Sequence, residues 1–245
     1  MKCKTLLAMA TMAASSAALA TVTSLNTLCR IAVTNDMTET LISVPLVEVG
    51  GSVEQIPLTN YVLTTNLAVD DKLLQWNGTK YYAWNFTGTT WEPLNVVDDN
   101  SAWVSPSGDV AKLARGTGAW LVRGETSKSK EFYLYGQVSE AEVESTFIGG
   151  QQTLMGHPRA AAFNPNAAGV TWSGQQDGDM IIFANPANRT GMTKLTYKAG
   201  EVNGWARQTA PGVWSKDETS MIPAGQGFWY VSKGSENGTA TWGAQ

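Results

Sequence analysis

The chain has 245 residues, 17 Lys and Arg against 21 Asp and Glu, and 43% hydrophobic content, which is enough apolar material for one large core or two ordinary ones. An acidic chain with a formal charge of −4 and no basic clusters is excluded as an electrostatic nucleic-acid binder. Charged residues make up only 16%, and 24 Gly with 10 Trp suit strands and tight turns better than long exposed helices, so the composition predicts an all-β protein.

The N-terminus predicts a signal peptide over residues 1–20. Lys2 and Lys4 form a positive start, Leu6 to Leu19 is a small and apolar run, and Ala18-Leu19-Ala20 has the small-x-small cleavage pattern. The run is too short and too rich in Ala, Ser and Thr to span a membrane, and no later run approaches about 18 apolar residues. The reading is an exported chain starting at Thr21, extracellular, at the cell surface or periplasmic, with no transmembrane segment. Cleavage leaves 15 Lys and Arg against 21 Asp and Glu, and leaves Cys29 as the one cysteine. Leu28 before it lacks the small side chain of a lipidation site, and the alternation around Cys29 favours burial.

Residues 21–39 form an N-terminal segment in which Ser24 to Thr34 alternates polar and apolar residues, with Leu25, Thr27, Cys29, Ile31 and Val33 on one side. That is the period of a half-buried strand. It either completes the second module described next or bridges to a neighbouring chain.

From there the chain is built twice. Gly116-Thr117-Gly118-Ala119-Trp120-Leu121-Val122 returns 109 positions later as Gly225-Gln226-Gly227-Phe228-Trp229-Tyr230-Val231. Thr40 to Pro45 has a counterpart in Thr153 to Pro158, each a strand halted by proline. Asp71 to Trp76 has one in Asp179 to Phe183. Asn77-Gly78, with Tyr81, Trp84 and Trp91 beyond it, predicts an aromatic hairpin. Tyr135-Gly136 and Trp242-Gly243 close the two copies. The expected architecture is two tandem homologous antiparallel β-modules, sandwich or barrel-like, at 40–138 and 153–245. Between them, Ser139-Glu140-Ala141-Glu142 has the capping-box form. It predicts one short helix over 139–147, ended by Gly149-Gly150 in a connection of 139–152. In the glycine stretch, glycines suit positive φ or close backbone approach, and Trp and Val, two apart, share one side, expected to be the core.

The second half reads Thr153-Leu154-Met155-Gly156-His157-Pro158, then Asp179-Met180-Ile181, Gly204-Trp205 and Ile222-Pro223-Ala224-Gly225-Gln226-Gly227-Phe228-Trp229-Tyr230-Val231. It resembles a β-module of many secreted bacterial proteins with the pattern N-L-[IV]-G-x-P … D-x-I … Y … G-W … I-x-P-G-Q-G-F-[WF]-V. The resemblance covers most of 153–234 and, more weakly, 40–124. The tandem arrangement is similar to exported families of Verrucomicrobia, Planctomycetes and Lentisphaerae. It implies an extracellular or envelope location and no known enzymatic activity, and it carries no agreed functional residues to transfer. His157 departs from the pattern, as does Leu113-Ala114-Arg115-Gly116-Thr117 in the first half.

Chemistry is sparse. Nucleophilic catalysis would rest on His157, the single histidine, and no Gly-x-Ser-x-Gly elbow accompanies it. One histidine and one mature cysteine do not make a zinc site, so neither metal nor cofactor is expected. Asp70-Asp71, Asp98-Asp99 and Asp177-Asp179 would serve a glycosidase if two carboxylates came within about 5 to 10 Å, but each lies where a turn favours Asp. Asp177-Gly178-Asp179 lacks the further oxygens of a calcium loop. Asn77, Asn85, Asn188 and Asn237 each head an Asn-x-Thr triplet, a glycan site in a eukaryote. Aromatic faces stack on sugars. Trp84, Trp91, Trp103 and Trp172 lie in loop-rich surroundings and form the candidate exposed ligand set, whereas Trp120 and Trp229 repeat and are expected in the core. The expected function is a non-enzymatic structural or interaction component of the cell surface or extracellular matrix, with other copies of itself or surface components as partners. The alternatives are polysaccharide binding through exposed Trp and Tyr, and then a glycan-active hydrolase.

Overall fold

A computed structural model of the chain describes residues 28–34, 39–47, 55–57, 67–94, 103–104, 106, 112–124, 131–185 and 191–243. The signal segment, Asp98, Asp99 and Asn188 lie outside them. The protein is all-β, with no helix among the described residues.

The first half supplies β1 (Leu28–Thr34), β2 (Glu39–Ser43), β3 (Gln55–Pro57), β4 (Lys72–Trp76), β5 (Tyr81–Phe86), β6 (Trp91–Pro93), β7 (Trp103–Val104), β8 (Lys112–Ala114), β9 (Gly118–Val122) and β10 (Glu131–Gln137). The second supplies β11 (Val143–Phe147), β12 (Gln152–Gly156), β13 (Val170–Ser173), β14 (Met180–Ala184), β15 (Met192–Lys198), β16 (Gly204–Ala210), β17 (Val213–Lys216), β18 (Gly227–Val231) and β19 (Gly238–Trp242).

Two large sheets share one strand order, β2-β9-β4-β5-β6 in the first half and β12-β18-β14-β15-β16-β17 in the second. Their registers match as well. Leu41 and Leu74 flank Trp120 as Leu154 and Ile182 flank Trp229. All these pairs are antiparallel; β7 alone runs parallel, beside β5. Behind the large sheets lie β1-β10 and β3-β8 in one half and β11-β19-β13 in the other.

β1 buries Cys29, Ile31 and Val33, the side its alternation predicts. It pairs along its full length with β10 of the first half, rather than adding to a sheet of the second. β11 takes the corresponding place in the second half, pairing with β19. Here the expected helix over 139–147 is overturned. Val143, Ser145 and Phe147 alternate inward, and pairing with β19 outweighs the local capping signature. Ser139 Oγ instead accepts from Ala141 N and from the Arg115 guanidinium.

The closing aromatic-glycine pairs are also displaced by one residue. Inward-facing Ile31 opposes Leu134, and inward-facing Val143 opposes Trp242. The counterpart of Trp242 is therefore Leu134, and Tyr135 lies on the other face, because a one-residue slip turns a strand side chain over.

The glycine stretches lock the halves together reciprocally. Gly116 and Gly225 have φ of 81° and 79°, the left-handed region that glycine enters freely. Gly118 and Gly227 are needed for close approach: a Cβ on Gly118 would lie 2.6 Å from Met155 O, and one on Gly227 2.7 Å from Ile42 O. Ser43 N donates to Gly225 O and Gly156 N to Gly116 O, each at 2.8 Å. Each half thus satisfies the edge strand of the other, an edge otherwise open to pairing.

The face of the repeated Trp is corrected. Ala119 and Leu121 in β9, with Phe228 and Tyr230 in β18, point into the cores, while Trp120, Val122, Trp229 and Val231 are half-buried on the opposite face. One core gathers Ile31, Leu73, Trp84, Phe86 and Trp91 and takes in Ala160 and Ala224 from the second half. The other gathers Phe147, Ile181, Trp205, Phe228 and Trp242. Each large side chain so enclosed contributes about 2 to 3 kcal/mol of burial.

Candidate functional site

The acidic doublets resolve into two matched clamps. Asp71 and Asp179 are fully buried at the starts of β4 and β14. Asp71 accepts from Ala68 N at 2.9 Å and Gly124 N at 2.7 Å. Asp179 accepts from Gln176 N at 2.9 Å and Lys233 N at 2.6 Å. In both, the carboxylate ties the turn before one strand to the chain leaving β9 or β18, as a buried charge must be hydrogen-bonded. Only the third partner differs: the Arg123 Nε, 3.2 Å from Asp71, against the Tyr230 hydroxyl, which donates to Asp179 at 2.6 Å. Burial, then the hydrogen bond and charge of Asp179, push the Tyr230 phenol far above its ordinary 10.0. Burial lowers the Arg123 guanidinium, opposed by the Asp71 charge.

The neighbouring acids serve the same turns. Asp70 has a φ of 71° and accepts from Asn85 Nδ2 at 3.3 Å. Exposed Asp177 pairs with Lys198 at 2.9 Å, which lowers its pKa.

His157 is completely enclosed. Arg159 N approaches Nδ1 at 3.4 Å, and Nε2 lies 2.5 Å from Ala161 O, so Nε2 carries the proton and donates. Phe163 and Trp242 rings lie 4.3 and 5.6 Å away. Burial lowers its pKa to about 3, with the Ala161 hydrogen bond opposing and Arg159 assisting. Matching Thr153 with Thr40 puts Val44 at the His157 place in the first half, equally buried. The imidazole is a neutral filler of the core, without the access a general base needs.

The tryptophans expected to be exposed are enclosed or half-buried where they are described. Trp84 and Trp91 are 5% and 2% exposed, because Trp84 and Phe86 share the core face of β5 and Trp91 opposes Phe86. Trp172 is half-buried: its Nε1 donates to Pro165 O at 2.9 Å, and its ring lies 5.1 Å from Trp205 and 5.7 Å from Tyr230. The Trp103 side chain lies outside the described residues.

A different aromatic group lies on the outer face, where the two large sheets meet. Trp76, Tyr81, Trp120 and Trp229 are all half-buried. Trp76 lies 4.8 Å from Tyr81 and 5.9 Å from Trp229, and its Nε1 donates to Gln152 O of the other half at 3.0 Å. In the second sheet Ala184 and Met192 form the pair that Trp76 and Tyr81 form in the first. The fold therefore does without aromatics there. Strand parity would have found the group, had the face of Trp120 been known.

A groove of about 420 Å³ runs beside β13, lined by Arg159, Phe163, Asn164, Val170, Met221 and Trp242. Its polar groups serve the backbone: the Arg159 guanidinium donates to Gly169 O and Gly243 O, each at 2.5 Å, and Asn164 Nδ2 to Asp217 O and Ser220 O. Among the described residues no group of three or more His, Cys, Asp or Glu is placed to hold a metal, and no helix is long and apolar enough to cross a membrane. No family model, no curated protein and no solved structure matches this chain.

Proposed function

We propose that the chain is an exported, non-enzymatic protein of two copies of one β-module, a structural or interaction component of the cell surface or extracellular matrix. Its partners are other copies of itself or surface components. The observation that carries this reading is the use made of its chemistry-bearing groups: Asp71, Asp179 and His157 are wholly enclosed and engaged in holding turns and cores. A rigid doubled scaffold suits such a role, and the secreted bacterial β-module it resembles points the same way. Linkage through Cys29 would require β1 to leave its place, since the thiol is buried. Light scattering of the chain from Thr21 after size exclusion, with negative-stain images of the same fractions, tests the proposal. Ordered oligomers or fibres are expected; a clean monomer at all concentrations overturns self-association.

The aromatic group at Trp76 favours a second reading, polysaccharide binding on the outer face. Half-buried rings with polar neighbours suit sugar stacking, and Gln151 and Gln152 lie exposed close by. Titration with a polysaccharide panel, read by tryptophan fluorescence, tests it, and an unchanged signal throughout rejects it.

A further inference from the structure

The sequence holds three Asn-Gly steps: Asn77-Gly78, Asn203-Gly204 and Asn237-Gly238. At such a step no Cβ hinders approach of the glycine nitrogen to the asparagine side-chain carbon. The surroundings of the three differ. Gly204 opens β16, is buried and pairs with Lys198. Gly238 opens β19, is buried and pairs with Phe147. Gly78 sits in the open loop between β4 and β5 with φ of 103°, and only Gln151 Oε1, at 3.9 Å, comes near where a Cβ would be. Among the described residues its amide nitrogen has no hydrogen-bond partner.

The asparagine oxygens differ too. Asn77 Oδ1 accepts three donors: Thr79 N at 3.0 Å, Thr79 Oγ1 at 3.1 Å and Lys80 N at 2.8 Å. Asn203 Oδ1 accepts from Tyr197 OH at 3.3 Å, and Asn237 Oδ1 from Gly149 N at 2.9 Å.

We propose that Asn77 is a self-modifying site, its side-chain amide activated by the loop that holds it. Gly78 N attacks Asn77 Cγ, and the charge developing on Oδ1 is stabilised by the three donors, as in an oxyanion hole. Gly78 N gives up its proton, and Nδ2 takes one and leaves as ammonia, closing a five-membered imide. Water then opens the ring at either carbonyl and leaves an aspartyl or isoaspartyl residue. No oxidation or reduction is involved. The isoaspartyl product inserts a methylene into the main chain immediately after Trp76, which pairs with Tyr81 and whose indole reaches Gln152 O in the other half. The reaction therefore loosens the contact between the two large sheets with age.

The test is incubation of the full chain at mildly alkaline pH, with the product at each Asn-Gly step followed by peptide mass spectrometry. Asn77 is expected to convert at least about tenfold faster than Asn203 or Asn237, its oxygen being the best supplied with donors. Thr79→Val, which removes one donor, should slow it about fivefold, the worth of one neutral hydrogen bond. Thr79→Ser should match the parent. Equal rates at the three sites, an unslowed Thr79→Val or a Thr79→Ser as slow as Thr79→Val each overturn the proposal. The ranking within the parent protein holds whether or not a variant folds.

Discussion

Gly156 donates its backbone N–H to the carbonyl oxygen of Gly116 at 2.8 Å, and a Cβ on Gly156 would fall on the Thr117 carbonyl. The corresponding residue in the first half is Ser43, which makes the same main-chain bond to Gly225 O. Ser43 has room for its side chain, and its Oγ reaches His157 O and Gln226 O at 3.1 and 3.0 Å. The two docking contacts are thus equivalent in backbone and unequal in tolerance. Gly156→Ala should cost about 3 kcal/mol, since backbone cannot move aside as a side chain can. Ser43→Ala should cost about 1 kcal/mol, the loss of one shared donor. Urea midpoints of the two variants check the order.

Acid should unfold the protein in two steps of different origin. His157 has a folded pKa near 3 against an ordinary 6.5, so the unfolded chain takes up a proton that the folded chain refuses. Its stabilisation is complete above pH 6.5 and is lost as the pH falls towards about 3, on the order of 5 kcal/mol in all. Asp217 is held down to about 2 against 3.8. Burial opposes that shift, and the Ser220 and Thr219 donors and the Arg207 charge outweigh it. Its share, about 2 kcal/mol, is lost between pH 3.8 and about 2. His157→Val, taking the residue of the Val44 position, should flatten stability between pH 6.5 and about 4 and leave the lower step. Urea unfolding across that range is the measurement; a slope unchanged by His157→Val contradicts it.

The all-β character was legible because the large sheets obey local rules: proline stops β2 and β12, aspartate opens β4 and β14, and paired glycines lead into β9 and β18. The faces were not. In Gly-x-Gly-x-Trp-x-Val either parity is apolar, and only the positions of β1 and β11 behind the sheets decide that Leu121 and Tyr230 go inward. Trp84 has the same strand parity as Phe86, two residues on, so the alternation of β5 rather than its nearby loops decides its burial. Val143, Ser145 and Phe147 also alternate visibly, but Ser139 and Glu142 offer a helix start that pairing with the distant β19 overrules. Asp71 and Asp179 carry no local mark of burial, since their near donors, Ala68 N and Gln176 N, are those of any Asp turn, and the donors that enclose them come from residues 53 and 54 positions away.

The Asp179 clamp should respond to alkali where the Asp71 clamp does not. The Tyr230 hydroxyl is held protonated when folded and titrates near 10.0 when unfolded. A raised folded pKa stabilises below the unfolded value and loses that stabilisation as the pH climbs above it. Tyr230→Phe should cost about 2 kcal/mol at neutral pH, a hydrogen bond to a charged acceptor. The gap between parent and variant should narrow above pH 10. Guanidinium unfolding of both proteins from neutral pH upward checks this, and a gap that stays constant contradicts it.

The tryptophans divide into those that hold the fold and those that the fold spares. Trp84 and Trp91 are enclosed in the first core, so either change to Ala should cost about 3 to 5 kcal/mol. Trp76→Ala removes one hydrogen bond and the ring contacts with Tyr81 and Trp229, which together amount to about 3 kcal/mol. Ala184 already stands at the matching place in the second sheet, so the Trp76 variant should fold. Thermal melts check this, and polysaccharide titration of the Trp76 variant then has a clear meaning. Loss of a fluorescence response in a folded Trp76→Ala protein would place sugar recognition on the outer face. The same loss in Trp84→Ala would report only on the core.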